Sequence, residues 1–91
     1  MIRFTLRLFV AGSTARSVQA ISNLRRFCDE VLEDRCDLEI IDVLEHPVMA
    51  EQDRIIATPT LLKLAPLPPR RIIGDLSDRG RILQGLDLTG S

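Results

Sequence analysis

The stretch ATPTLLKLAPLPPRRIIGDLS, residues Ala57 to Ser77, decides the reading of this chain. Thr60 to Leu64 and Arg70 to Gly74 have strand character and are separated by Ala65-Pro66-Leu67-Pro68-Pro69. Proline has no N–H to give to a ladder, so this segment stiffens a turn and cannot lie in a central strand. The two runs are predicted to pair as an antiparallel hairpin. The stretch closes on Ser77, a good cap for a last helix from Asp78 to about Leu88, with Ile82, Leu83 and Leu86 on one face.

Upstream, His46-Pro47 ends an extended run, and proline at a first helical position suits a short helix from about Pro47 to Arg54. Before it, LEIIDV (Leu38 to Val43) is apolar on both sides at Ile40 and Ile41, which predicts an interior strand covered on both faces. From Arg3 to Val10 the residues alternate, with Phe4, Leu6, Leu8 and Val10 on one face and Arg3, Thr5, Arg7 and Phe9 on the other. Between these strands, Ala11-Gly12-Ser13-Thr14 supplies a turn and a hydroxyl cap. Val18, Ile21, Leu24, Cys28, Val31 and Leu32 then recur at helical spacing, predicting about five turns with Arg25, Arg26, Asp29, Glu30 and Glu33 solvated. The helix makes a right-handed crossover, so the flanking strands should be parallel.

The order is therefore β-α-β-α-β-β-α, an α/β fold. With Pro59 immediately before the third strand, it resembles the thioredoxin-like architecture, a four-stranded mixed sheet with helices on both faces. In that fold the Thr58-Pro59 bond is expected to be cis.

Composition narrows function by exclusion. Ninety-one residues suit a single domain, 1–91, with one modest core. Twelve basic and thirteen acidic residues are interspersed for a formal charge of -1, so no long-range field steers the chain to nucleic acid or an anionic membrane. Phe4, Phe9 and Phe27 are its only aromatic residues, which leaves single-stranded nucleic acid without stacking platforms. No apolar run approaches the ~20 residues of a membrane span, and a soluble cytoplasmic protein is expected. Eleven basic residues are Arg and only Lys63 is Lys, which favours bidentate pairing at an interface.

Catalytic chemistry finds little support. A thioredoxin-type enzyme places a low-pKa thiolate at the start of its first helix, where this chain has Gly12-Ser13-Thr14-Ala15-Arg16-Ser17. Cys28 lies far along that helix and Cys36 beyond it, without the spacing of a redox pair or a zinc site, so both are expected to be free thiols. His46, the only histidine, reads as a turn residue, and Gly12 and Gly74 belong to no phosphate-binding run. No catalytic residue, cofactor or metal is expected. The competing enzyme reading is a degenerate thioredoxin-fold oxidoreductase or glutathione-binding protein, using the Pro59 backbone and Ser13 or Ser17.

The last helix is weak by its own sequence. Gly80 and Gly85 each disfavour it by about 1 kcal/mol relative to Ala. ILQGLDL (Ile82 to Leu88) also reads as a short extended run, so two packings of the chain beyond about Ala50 could lie within a few kcal/mol of each other. The competing reading is an ordinary frayed helix.

VAGSTARS (Val10 to Ser17), IIDVLEHPVMAEQDRIIATPTL (Ile40 to Leu61), PPRRIIGDLSDR (Pro68 to Arg79) and GLDL (Gly85 to Leu88) together resemble the KaiB circadian-clock family. The resemblance implies a non-enzymatic protein that docks on the first ATPase ring of a KaiC-like hexamer and recruits or displaces other clock proteins. It implies two folds: a tetramer-forming state with a rearranged C-terminal half, and a monomeric thioredoxin-like state that binds the ring. By position, it implies ring docking through a face bearing Arg54, Arg70 and Arg71, and an edge for a further partner along Leu38, Ile40 and Asp42. Pro59, Gly85 and Asp87 fall in the segment that would change fold. Ala15 and Arg16 stand where the family often has Pro and Asn, and Tyr is absent. A free-standing relative of the KaiB-like sensor domain of clock histidine kinases is the alternative within binding proteins.

Overall fold

The computed structural model describes residues 3–87, so Leu88, the expected end of the last helix, lies outside them. The elements are β1 (Phe4–Val10), α1 (Ala15–Glu30), β2 (Cys36–Asp42), α2 (Pro47–Gln52), β3 (Thr60–Ala65), β4 (Arg70–Ile73) and α3 (Arg79–Gly85), in the expected order. The strands form one mixed sheet, β2-β1-β3-β4. β1 and β2 are parallel across the α1 crossover, while β1–β3 and the proline-linked β3–β4 pair are antiparallel. The Thr58-Pro59 peptide is cis, as are Ala65-Pro66 and Leu67-Pro68.

The two-residue period of β1 feeds two cores. Phe4, Leu6, Leu8 and Val10 join Ala20, Leu24 and Phe27 of α1, Leu61 of β3, Ile72 of β4 and Ile82 of α3. Phe9 turns to the opposite face, where it is buried with Ile41, Leu62 and Ala50 of α2. Thus α1 and α3 cover one face and α2 the other.

β2 is an edge strand, not the interior strand its patterning predicts. Leu38 and Ile40 pack toward the first core and Ile41 into the second, so its two-sided apolar character reflects helices above and below rather than a strand beside it. Val18 is 55% exposed, because the face of α1 that meets the sheet is Ser17, Ala20, Leu24, Phe27 and Cys28. α1 itself runs 16 residues, about four and a half turns, and starts where Thr14 Oγ1 accepts from the Ser17 N–H at 3.3 Å.

At the last helix the cap is Asp78, not Ser77. Asp78 Oδ1 accepts from the Arg81 N–H at 3.2 Å, while the Ser77 N–H donates to Asp75 Oδ1 at 3.1 Å in a tight turn one step earlier. A carboxylate also suits the positive end of the helix.

Candidate partner interface

Alternation along β4 sorts its two arginines to different faces. Arg71 lies opposite Leu62 and reaches over α2's end of the sheet, where Nη1 donates to the Arg54 carbonyl at 2.8 Å and Nη2 to the Asp53 carbonyl at 2.6 Å. Arg54 follows α2 in the left-handed region, at φ 54°, and is exposed. Arg70 lies opposite Lys63 on the α3 face, where its Nε donates to Asp87 Oδ2 at 2.7 Å. The expected single face bearing Arg54, Arg70 and Arg71 is therefore corrected: Arg54 and Arg71 stand together, and Arg70 belongs with Asp87 across the strand.

Lys63 is the residue that sequence reasoning noticed only as the lone lysine. It is 2% exposed, and its Nζ donates to the Leu86 carbonyl at 3.2 Å and lies 3.8 Å from Asp87 Oδ2. Asp87 takes φ 60° just past the helix, so its carboxylate faces both Lys63 and Arg70. Gly85 sits over Ile72: a Cβ there would fall 2.6 Å from Ile72 Cδ1 and Cγ1. Sequence alone reads this glycine as a helix weakness, yet in this packing it is also the space that lets α3 settle on β4. Only the antiparallel register, which sets Ile72 beneath it, makes that visible.

The opposite edge of the sheet is β2. Leu38 and Ile40 are half-buried toward the first core, and Glu39 accepts from Arg7 Nε at 2.7 Å. Arg7 also donates to Asp53 at 3.0 Å, which ties the β1–β2 surface to the end of α2. Asp42 has a local duty, as its Oδ1 accepts from the Gly12 N–H at 3.1 Å and the Leu44 N–H at 2.9 Å. The residues assigned to ring docking and those assigned to a further partner thus lie at opposite ends of one sheet. Val48 on α2 and Leu44 and Ile56 on either side of it are 63%, 72% and 88% exposed. Their apolar character within a turn-rich segment was the available signal for this surface.

The start of α1 and the cis Pro59 are where the enzyme alternative would operate. Ser17 is buried there, its Oγ accepting from the Ala11 N–H at 3.1 Å and from the Thr14 hydroxyl at 2.9 Å, so it serves the cap. Cys28 lies about 21 Å along the helix from Thr14 at 1.5 Å per residue. His46 is exposed at the N-cap of α2 and makes no side-chain cap bond. Among the described residues, no group of three or more His, Cys, Asp or Glu could hold a metal ion, and no helix is long and apolar enough to cross a membrane.

The family model of the KaiB domain matches residues 7–88. The chain belongs to the KaiB family. Circadian clock protein KaiB3 of Synechocystis sp. is 51% identical over 88 residues, covering 97% of this chain and 86% of that protein. Circadian clock oscillator protein KaiB of Synechococcus elongatus is 52% identical over 85 residues, covering 93% of this chain and 83% of that one. Among solved structures, the N-terminal domain of Synechococcus elongatus SasA matches with a TM-score of 0.77 at 24% identity, covering 100% of this chain and 90% of that one. Mitochondrial thioredoxin 3 of Saccharomyces cerevisiae matches with a TM-score of 0.75 at 17% identity, covering 96% and 79%. These last two likenesses establish the fold, which is thioredoxin-like.

Proposed function

We propose that this KaiB-family chain is a non-enzymatic regulatory binding protein that docks on a KaiC-like ATPase hexamer. The observation that carries the reading is its identity, over most of its length, to proteins named for the circadian clock. The paired Arg54 and Arg71 at the α2 side of β4 are the arginines we assign to carboxylates on the ring, with Arg70 contributing from the other side of the same edge. The outer edge of β2, at Leu38, Ile40 and Asp42, is assigned to a further clock partner through strand addition. The thioredoxin-like form is the monomeric, ring-binding one, and a second packing of the half beyond about Ala50 gives a homo-tetramer. Pro59, Gly85 and Asp87 lie in the segment that distinguishes them.

The test is titration of a purified KaiC-type hexamer with the chain, under ATP and under ADP, followed by native mass spectrometry. Saturable, nucleotide-dependent binding that weakens with salt is expected. Arg54→Gln should weaken it about tenfold, the scale of one lost charge-assisted contact. Failure to bind in every nucleotide state overturns the reading, as does turnover of a thiol or disulfide substrate that survives loss of both cysteines.

A further inference from the structure

The fold brings together the two cysteines that sequence spacing leaves unrelated. Cys28 sits in the final turns of α1 and Cys36 opens β2. The intervening loop is tightly folded: the Asp34 N–H donates to the Cys28 carbonyl at 3.2 Å and the Arg35 N–H to the Leu32 carbonyl at 2.8 Å. Glu33 and Asp34 take φ of 51° and 61° to make the reversal. The Phe4 N–H then donates to the Arg35 carbonyl at 2.8 Å, which sets Cys36 into register with Phe4. Cys36 packs against the core that contains Cys28, so both thiols border the same apolar cluster.

Their surroundings differ. Cys28 is 5% exposed, whereas Cys36 is only half-buried at the edge of the sheet. Burial first, and then the Cys36 thiol, push the Cys28 thiol far above its ordinary 9.0. A reagent in water therefore meets Cys36 first, and Cys28 waits behind it.

We propose that Cys28 and Cys36 form a redox-modification site that takes a small diffusible disulfide, of the glutathione class, and closes to an intramolecular disulfide joining α1 to β2. The Cys36 thiolate, having lost its proton to solvent, attacks one sulfur of the reagent. A protein–reagent disulfide forms, the reagent's own S–S bond breaks, and one reagent thiolate leaves and takes up a proton. Cys28 then attacks the Cys36 sulfur, the Cys28–Cys36 bond forms, and the second reagent thiolate leaves with the proton that Cys28 gives up. Two protein thiols are oxidised by two electrons and one reagent disulfide is reduced to two thiols. Because Cys28 is held protonated, the closing step should quicken as pH rises. The bond lies wholly within β1–α1–β2 and closes a short loop, so it should lower the unfolding constant by roughly tenfold to a hundredfold.

The experiment incubates the full chain with oxidised glutathione across a pH series, followed by intact mass and urea unfolding. The expected product is a monomer lacking two hydrogens, with no retained glutathione, a higher urea midpoint and full reversal by dithiothreitol. Cys28→Ala should stop with one glutathione on Cys36, and Cys36→Ser should stay unmodified. Glutathione that persists on the wild-type chain, disulfide-linked dimers, or no oxidation at all each overturns the proposal. The wild-type masses decide it even if a variant folds poorly.

Discussion

The first and last parts of this molecule are built by different means. In β1 and α1, Leu6, Leu8, Phe9, Ala20 and Leu24 are fully buried, and a side-chain cap starts the helix. In the last part, β4 buries Ile72 alone among its four residues and α3 buries only Ile82 before Leu86 closes the turn. Polar tethers supply much of the rest: Lys63 to the Leu86 carbonyl, Arg70 to Asp87, Arg71 to the Asp53 and Arg54 carbonyls, and Asn23 to the Asp75 carbonyl. Apolar burial is non-directional and tolerates small shifts, whereas a hydrogen bond contributes a net ~1 kcal/mol and only at one geometry. The first part is therefore a scaffold, and the last is held in place by a few directional contacts. That contrast gives physical content to the proposal that the C-terminal half alone has a second packing.

The largest effect should come from the scaffold. Leu8 is fully buried in β1, the strand paired with both β2 and β3, so Leu8→Ala should cost about 2–5 kcal/mol and unfold both parts together. Urea unfolding followed by far-ultraviolet dichroism and by amide signals from α3 should show coincident transitions at a lower midpoint. If the α3 signals keep their original midpoint, the two parts do not share this core.

Lys63 is where the directional contacts concentrate. Lys63→Met keeps most of the apolar stem but leaves the buried Leu86 carbonyl without its donor, at about 1–3 kcal/mol. Amide exchange across Arg79 to Gly85 should accelerate while exchange in α1 is unchanged. Equal acceleration in both helices would show that the contact supports the whole molecule rather than its last part.

Much of this layout was legible because it rests on period and punctuation. The alternation of Phe4, Leu6, Leu8 and Val10, the proline turn from Ala65 to Pro69, and the hydroxyl at Thr14 are local signals that no tertiary contact overrode. Most of the failures share one cause, which is that spatial neighbours are not written in spacing. The placement of β2 at an edge depends on what lies beside it, and apolar faces report only what lies above and below. The separation of Arg70 from Arg71 followed directly from strand alternation, but the resemblance assigned both to one face. Lys63, Cys28 with Cys36, and Gly85 over Ile72 each depend on residues brought together by the sheet register or the α1–β2 turn.

Gly85 carries two opposing effects. Alanine favours a helix over glycine by about 1 kcal/mol, yet its Cβ would press on Ile72 at 2.6 Å. Removing Cγ1 and Cδ1 with Ile72→Ala leaves only a Cβ that lies 4.0 Å away. In a double-mutant cycle, Gly85→Ala should thus be more favourable in the Ile72→Ala background by about 1 kcal/mol. Additivity within about 0.5 kcal/mol would mean that Ile72 yields freely and that glycine is present for helix weakness alone.

The smallest effect separates the two parts by how each holds a surface carboxylate, exposed at Asp37 and partly buried at Asp75. Asp37, opposite Thr5 at the start of β2, is kept below the ordinary 3.8 by its hydrogen bond to the Arg3 guanidinium, 2.8 Å away. Asp75, in the turn before α3, is also kept below 3.8, but by the hydroxyl and then the N–H of Ser77. In both cases the folded value is depressed, so the contribution to stability is present above 3.8 and is lost as pH falls through the folded value. Salt screens a charge pair between exposed side chains far more than a short bond to a neutral donor. Carboxyl carbon titration by NMR at low and at 1 M salt (Debye length about 3 Å) should therefore move Asp37 back toward 3.8 and leave Asp75 nearly where it was. Equal movement of both would mean that Arg16, whose charge also acts on Asp75, outweighs the Ser77 bonds and that the last turn is held by ionic contacts after all.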